Sequence, residues 1–381
     1  MTHHTIKSLG NIAGKKILLR VDLNSDAVNG KIVESPRIEA HSETIKFLQN
    51  KKAKIVILAH QGTPGKKDCL SLKQHAKLLN KYVKIRFVPE VIGKKSWSAI
   101  SSLKSGEALL LENVRYLKSE LEPSANNDFV NFMKELEFDF YVNDAFSVCH
   151  RNQTSIVSFP KVFPSAIGLV LENELRNVEK LKSKIKNCLF ILGGAKSKDL
   201  MPLLGKGAVL STGKLSLLCL IAKGYNLGKE NALLKKDFDL IPKIRNLNHV
   251  KTPIDLAVNA NGRRKELNLE GFPQNYPVWD IGKKTMQNYI HEIKNLKGNQ
   301  AIFFKGAPGM FEFRNFSAGT RGILEAIAES KAFSVIAGGS SSDAIKKFGI
   351  NKKKFGYVSL SGGALVKYLA GEKLPGLEAL K

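Results

Sequence analysis

The 381-residue sequence is poor in cysteine, with only Cys69, Cys149, Cys188 and Cys219. They are widely spaced and form no Cys-x-x-Cys pair, which argues against a disulfide framework or zinc ribbon and for reduced thiols. Cys149 adjoins His150, but neighbouring strand positions point apart, so a Cys–His nucleophile is not expected. Long hydrophobic runs are missing too. The longest, around Leu215 to Ala222, falls far short of the ~20 residues a spanning helix needs. The opening MTHHTIKSLG lacks the apolar core of a signal peptide, so a cytoplasmic location without membrane contact is the expectation. Acidic residues are scarce: 34 Asp+Glu stand against 60 Lys+Arg, a formal charge of +26. An excess of this size raises nucleic acid as a partner. The lysines, however, are scattered in short groups such as KLKSKIKN and NKKKF, without a basic tail or aromatic interleaving. A solvated lysine-rich surface explains them better than a dedicated nucleic-acid face, and polyanionic metabolites fit a positive cleft.

What is present is an ordinary globular balance, 43% hydrophobic and 25% charged, in a chain long enough for two domains. Short apolar runs recur, each ending in Gly, Asn, Asp or His. KILLRVDLN, KIVILAHQG, ALLLENVR and FYVNDAF come early; LFILGGAK, AVLSTGK, IFFKGAPG, FSVIAGG and YVSLSGG come late. Helix-period segments such as RIEAHSETIKFLQNK and AGTRGILEAIAES lie between them. Wholly apolar strands alternating with helices predict parallel sheets covered on both faces, with ligands at the carboxyl ends of the strands. The fold class is therefore α/β, two doubly wound parallel-sheet (Rossmann-like) lobes.

The halves end their strands differently. The first supplies charge, from Arg20, Asp22, His60, Arg115, Asp144, His150 and Arg151. The second supplies glycine, in GGAK, GAPG, AGG and SGG. Charged side chains suit a small anion through paired hydrogen bonds. Glycine loops let backbone N–H groups close on a phosphate chain. Between them PSAIGLVLENELRNVEKLKSKIKN, residues 164–187, has the period of a long connecting helix. The expected division is 1–163, the connecting helix 164–187, 188–361, and a terminal segment 362–381.

RVDLN, SPRIEAHSETIKFL, LLLENVRY and YVNDAFSVCHR, followed by GLVLENEL, LGGAK, TPIDLAV, DIGKKT, FSAGT and GEKLPGLEAL, resemble the motifs of the phosphoglycerate kinase family in that family's order. The resemblance runs along essentially the whole chain. Details such as HQGTPG, VRYLKSE and KAFSVIAGGSS are most similar to its archaeal branch.

The resemblance implies reversible phosphoryl transfer between ATP and the carboxylate of 3-phosphoglycerate, with 1,3-bisphosphoglycerate and ADP on the other side. It implies a phosphoglycerate-binding N-terminal lobe and a nucleotide-binding C-terminal lobe that close on a hinge. Residues 362–381 would pack back on the N-terminal lobe, and the protein would be a monomer. By resemblance Asp22, Leu23, Asn24, Arg37, His60, Gln61, Gly62, Thr63, Arg115 and Arg151 bind phosphoglycerate. Lys196, Glu312, Gly338, Gly339, Ser340 and Ser341 bind nucleotide, and Arg37 and Lys196 stabilise the transferring phosphoryl group. Mg2+ would come with ATP or ADP, held by phosphate oxygens, with no protein metal site. Such transfer is mostly positioning plus positive charge.

Departures from the family pattern matter as much. Thr63 stands where arginine is usual, Leu200 where bacterial relatives have a second lysine, and Ser340 where they have aspartate. Lys305 and Ala307 replace the outer residues of Asn-Gly-Pro, and Ala337 and Ser361 replace glycines. Two rival expectations follow: a degenerate relative that binds these ligands without turnover, and a basic nucleic-acid-binding protein. The Gly-x4-Gly-Lys-[Ser/Thr] phosphate loop is absent.

Overall fold

The computed structural model describes residues 3–381. Strands that are buried along nearly their whole length build two six-stranded parallel sheets, one in each of two compact units. Met1–Arg176 with Glu372–Lys381 form the first unit, and Asn177–Gly371 the second.

In the parallel sheet of the first unit the strands are β1 (Lys16–Arg20), β2 (Lys54–Leu58), β3 (Arg86–Phe87), β4 (Ala108–Leu110), β5 (Phe140–Asn143) and β6 (Ser165–Ile167), in the order β3-β4-β2-β1-β5-β6. In the second, β7 (Cys188–Leu192), β8 (Ala208–Ser211) and β9 (Val250–Lys251) precede a three-stranded antiparallel sheet. That sheet comprises β10 (Asp255–Ala260), β11 (Arg263–Asn268) and β12 (Val278–Ile281). The chain then returns through β13 (Ala301–Lys305), β14 (Phe333–Ala337) and β15 (Tyr357–Ser359), giving the order β9-β8-β7-β13-β14-β15. Each unit is thus a Rossmann-like lobe with its own core, Ile17, Ile55 and Ile57 among the buried residues of the first and Ile191, Ile302 and Phe304 among those of the second.

In both sheets the chain winds out one way from its first strand and later returns to that strand's other side. Such a reversal opens a crevice at the strands' carboxyl ends. Register decides what lines it. Arg20 is level with Leu58 and Asn143, so Asp22, His60 and Asp144 emerge at one edge. In the second sheet Leu192 is level with Ser211 and Lys305, and Ala337 with Lys305 and Ser359. Gly193, Gly213, Gly306 and Gly338 therefore follow at a common edge.

The helices relevant to these edges are α1 (Pro36–Asn50), α2 (Leu169–Lys182), α3 (Gly213–Ala222), α4 (Gly339–Lys347) and α5 (Gly363–Ala370). Ser35 caps α1 by accepting the Arg37 N–H at 3.3 Å, and Pro36 occupies the first turn, where its missing N–H costs nothing. The segment read as one long helix starts differently: residues 165–167 form β6, and the helix begins only at Leu169. The break is Gly168, where a Cβ would lie 2.2 Å from Asp144 Oδ1. Asp144 needs that space to receive the Val170 and Leu171 amides that open α2. The antiparallel sheet lies outside the sequence-based expectation, although Asn261-Gly262, both at positive φ, is a two-residue hairpin signal visible in the sequence.

Candidate functional site

The carboxyl edge of the first sheet collects buried cations. Arg20 is fully buried, and its guanidinium donates to Ser155 Oγ (2.8 Å) and to the Val21 carbonyl, with Nη2 3.0 Å from His60 Nδ1. Burial, reinforced by Arg20, pushes the His60 pKa well below its ordinary value, so at neutral pH the ring is uncharged. Nδ1 then accepts from Arg20, and Nε2 carries the proton. Arg20 belonged to the charged strand ends of the sequence but not to the expected site; the structure makes it the group that orients His60.

Arg115 is also buried, 6% exposed, and its Nη1 donates to the Gly62 carbonyl. Its Nε and Nη2 are buried without a hydrogen-bond partner. Burial, with repulsion from Arg151 and Arg20, lowers its pKa to about 10, which leaves it charged at pH 7. The nearby carboxylates of Glu112 and Asp144 are engaged elsewhere rather than paired with these arginines. Glu112 is used by Ser71 and the Leu72 amide, and Asp144 by His41 and the start of α2. Arg151 lies exposed at the same edge, sensed electrostatically by Arg115 and Asp22. A guanidinium with two stranded donors, a neutral imidazole N–H and a second arginine suit a compact anion chemically.

Next to it, Asp22 organises the loop after β1. One carboxylate oxygen accepts the Asn24 N–H at 3.0 Å; the other accepts the Ser147 hydroxyl and lies 3.2 Å from Arg37 Nη1. Burial opposes its ionisation, but Arg37, His60 and Ser147 together hold its pKa well below the usual carboxylate range. Arg37 also donates to the Asn24 carbonyl at 2.7 Å. Leu23 is buried, so its main chain alone faces the loop. Gln61 is wholly buried and bridges Ser25 to the Asp68 carbonyl, holding the loop rather than facing outward. Gly62 donates to Asn24 Oδ1 at 2.7 Å and has φ +71°; a Cβ there would lie 2.0 Å from the Asp68 carbonyl oxygen. Thr63 is exposed and its amide is tied to Asp68 Oδ1 at 3.1 Å.

The second sheet presents glycine turns at its edge. Gly306 has φ +85°, and a Cβ there would meet the Gly193 carbonyl at 2.1 Å, so these two loops touch only as glycines. Lys196, exposed, follows Gly193 and Gly194, and Lys214 opens α3 with its amide on the Gly194 carbonyl. Gly338 precedes α4, with Gly339 and Ser340 exposed; Ser341 is buried, its Oγ 3.4 Å from the Gly306 N–H. Glu312 is exposed, and Lys347 donates to its carbonyl rather than to its carboxylate. The replaced glycines are harmless to the backbone: Ala337 and Ser361 both avoid positive φ. Helix N-termini, glycine turns and lysines at one edge suit a phosphate chain. Cys149, by contrast, is fully buried, and burial pushes its thiol up to about 12, which removes it as a nucleophile.

A sequence model of the phosphoglycerate kinase family matches residues 6–372. The phosphoglycerate kinase of Methanothermus fervidus is 36% identical over 394 residues, covering 97% of this chain and 95% of the relative. That of Sulfurisphaera tokodaii is 39% identical over 393 residues, covering 97% and 94%. Among solved structures, phosphoglycerate kinase from Pyrococcus horikoshii OT3 superposes with a TM-score of 0.91 at 32% identity, covering 99% of this chain and 98% of that one. The Coxiella burnetii enzyme superposes at 0.79 with 29% identity, covering 99% and 98%.

Proposed function

The chain belongs to the phosphoglycerate kinase family, and from that premise we propose how its residues divide the work. The activity is the family's glycolytic one, phosphoryl transfer between ATP and phosphoglycerate. In the proposal the acceptor is a carboxyl group, that of 3-phosphoglycerate, and the reverse direction runs from 1,3-bisphosphoglycerate and ADP.

The substrate's fixed phosphate is assigned to Arg115, Arg151 and the His60 Nε2–H. The observation that carries this is the pair of stranded Arg115 donors, which the oxygens of a bound phosphate would satisfy. Asn24, the Leu23 main chain and Arg37 then face the carboxylate end. Asp22 acts by fixing Arg37 rather than by offering a free carboxylate. Gln61 and Gly62 shape the loop, and Thr63 contributes no charge to it. Arg37 and Lys196 are the catalytic cations, neutralising charge that builds on the transferring group.

Nucleotide phosphates are assigned to the turns at Gly338 and Gly339 with Ser340 and Ser341, and the ribose to Glu312. Ser340 cannot ligate a magnesium ion as a carboxylate does. Among the described residues no group of three His, Cys, Asp or Glu side chains is placed to hold a metal. The proposal puts Mg2+ on phosphate oxygens and water, as its hydration preference permits. Because in-line transfer requires donor and acceptor in contact and shielded from water, turnover is proposed to include hinge closure of the two units. The reading includes a cytoplasmic monomer; among the described residues no helix is long and apolar enough to cross a membrane.

The test is a coupled assay with purified protein, Mg2+, ATP and 3-phosphoglycerate, pulling product onward to NADH oxidation, with Arg37→Ala beside it. Turnover that vanishes in the variant is expected. Binding of both ligands by calorimetry without turnover would replace this reading with a degenerate relative.

A further inference from the structure

Lys305 ends β13, the strand lying between β7 and β14 near the centre of the second sheet. Its neighbours in register are Leu192 and Ala337, so it stands between the glycine turns that follow those strands. A Cβ on Gly362, the residue capping α5, would sit 3.5 Å from Lys305 Nζ, which puts the ammonium at that helix's start. There it faces the positive end of a helix rather than a carbonyl terminus.

The charged groups facing it are Asp199, which favours its charge, and Lys196, which opposes it. Among the described residues Nζ makes neither a hydrogen bond nor an ion pair within 4 Å. Burial, its largest influence, lowers its pKa. A partly desolvated ammonium beside a second lysine and a helix N-terminus costs stability. The fold gains no contact from it in return. Position 200 explains what it supplies: Leu200, standing where bacterial relatives have a second lysine, is buried in the core.

We propose that Lys305 is a phosphate-binding residue of the nucleotide site, giving the phosphates a fixed positive charge that position 200 does not. The inference rests on the nucleotide reading above and extends it. Nucleotide phosphates meet Lys305 and Lys196 at the glycine edge, so part of their charge is neutralised by the protein itself, metal or no metal.

The experiment is calorimetric titration of ADP in EDTA, and of adenosine, into wild type, Lys305→Met and Lys305→Arg, with thermal melting of the ligand-free proteins. Lys305→Met is expected to weaken metal-free ADP about ten- to a hundredfold, as loss of a charge-assisted contact does. Adenosine affinity should stay unchanged, the melting temperature should not fall, and Lys305→Arg should keep most of the ADP affinity. Wild-type ADP affinity in Lys305→Met would overturn the inference. So would equal weakening of ADP and adenosine together with a lowered melting temperature, the pattern of a structural residue. Should Lys305→Met unfold, Lys305→Gln is read by the same criteria. Failure of the wild type to bind ADP even with Mg2+ would instead overturn the nucleotide reading, and this inference with it.

Discussion

His41 Nδ1 lies 2.9 Å from a carboxylate oxygen of Asp144, while its Nε2 accepts the backbone N–H of Asp22 at 3.2 Å. A ring carrying its proton on Nδ1 alone satisfies both contacts. Asp144's other oxygen takes the Val170 and Leu171 amides at 2.8 and 3.2 Å. One buried histidine on α1 therefore ties the loop that holds Arg37 to the start of α2. Asp144 is among the charged strand ends legible in the sequence, but nothing there signals His41.

Replacing His41 by alanine leaves an Asp144 oxygen buried without its partner. The expected cost is about 2–4 kcal/mol of folding stability, read from urea unfolding. Because the Asp22 loop loses its anchor, KM for 3-phosphoglycerate should rise while KM for ATP holds. An unchanged KM for 3-phosphoglycerate would remove His41 from the positioning role.

Arg115→Met tests the anion receptor. The variant gives up one hydrogen bond, to the Gly62 carbonyl, and removes a buried cation with two stranded N–H groups. Folding stability should hold or rise. Affinity for 3-phosphoglycerate should fall at least about a hundredfold, the scale of losing a paired, charge-assisted contact. Calorimetry and a melting curve on the same preparation check both halves.

Acid should unfold the first unit through its buried histidines. His75 Nε2 lies 3.1 Å from Gln61 Oε1, and burial, opposed in part by Asp22 and the Leu23 backbone, brings its pKa to about 4. An unfolded histidine titrates near 6.5. Between these values the unfolded chain binds the extra proton, so stability present above pH 6.5 is lost as pH falls toward 4. For His75 this amounts to about 3 kcal/mol, and His60 acts in the same direction. Urea unfolding at pH 7 and pH 4.5 should show the drop, and His75→Gln should make it shallower. An equally steep drop in that variant would assign the acid sensitivity elsewhere.

Thr63→Arg should tighten 3-phosphoglycerate binding. The residue is exposed on a loop pinned through its own amide to Asp68, so a longer side chain has room and a fixed base. A charge-assisted contact is worth about 1.5–3 kcal/mol, roughly ten- to a hundredfold in affinity. Unchanged affinity in a titration would mean that the arginines already present satisfy the phosphate.

Much of this architecture is legible in the order of the amino acids. Apolar runs such as KILLR and LFIL declare buried parallel strands, because such sheets are covered on both faces. The polar residues closing those runs declare the functional edge, because parallel strands put their carboxyl ends together. Less legible is the role of each side chain. Asp22 reads as a substrate ligand, yet its two oxygens are taken by Asn24, Ser147 and Arg37. Gln61 reads as a site residue and is an internal brace.

The sequence by itself determined the two-lobed α/β plan, the charged edge and the glycine edge, since hydrophobic period and strand-end composition are local properties. Tertiary structure alone decided that Arg115 keeps two buried donors free, that His60 is neutral, and that His41 joins Asp22 to Asp144. Those facts depend on which groups meet across 19 to 103 residues of chain and on how much water remains around them. Burial and pairing set charge and orientation, and neither is written in the spacing of residues along the chain.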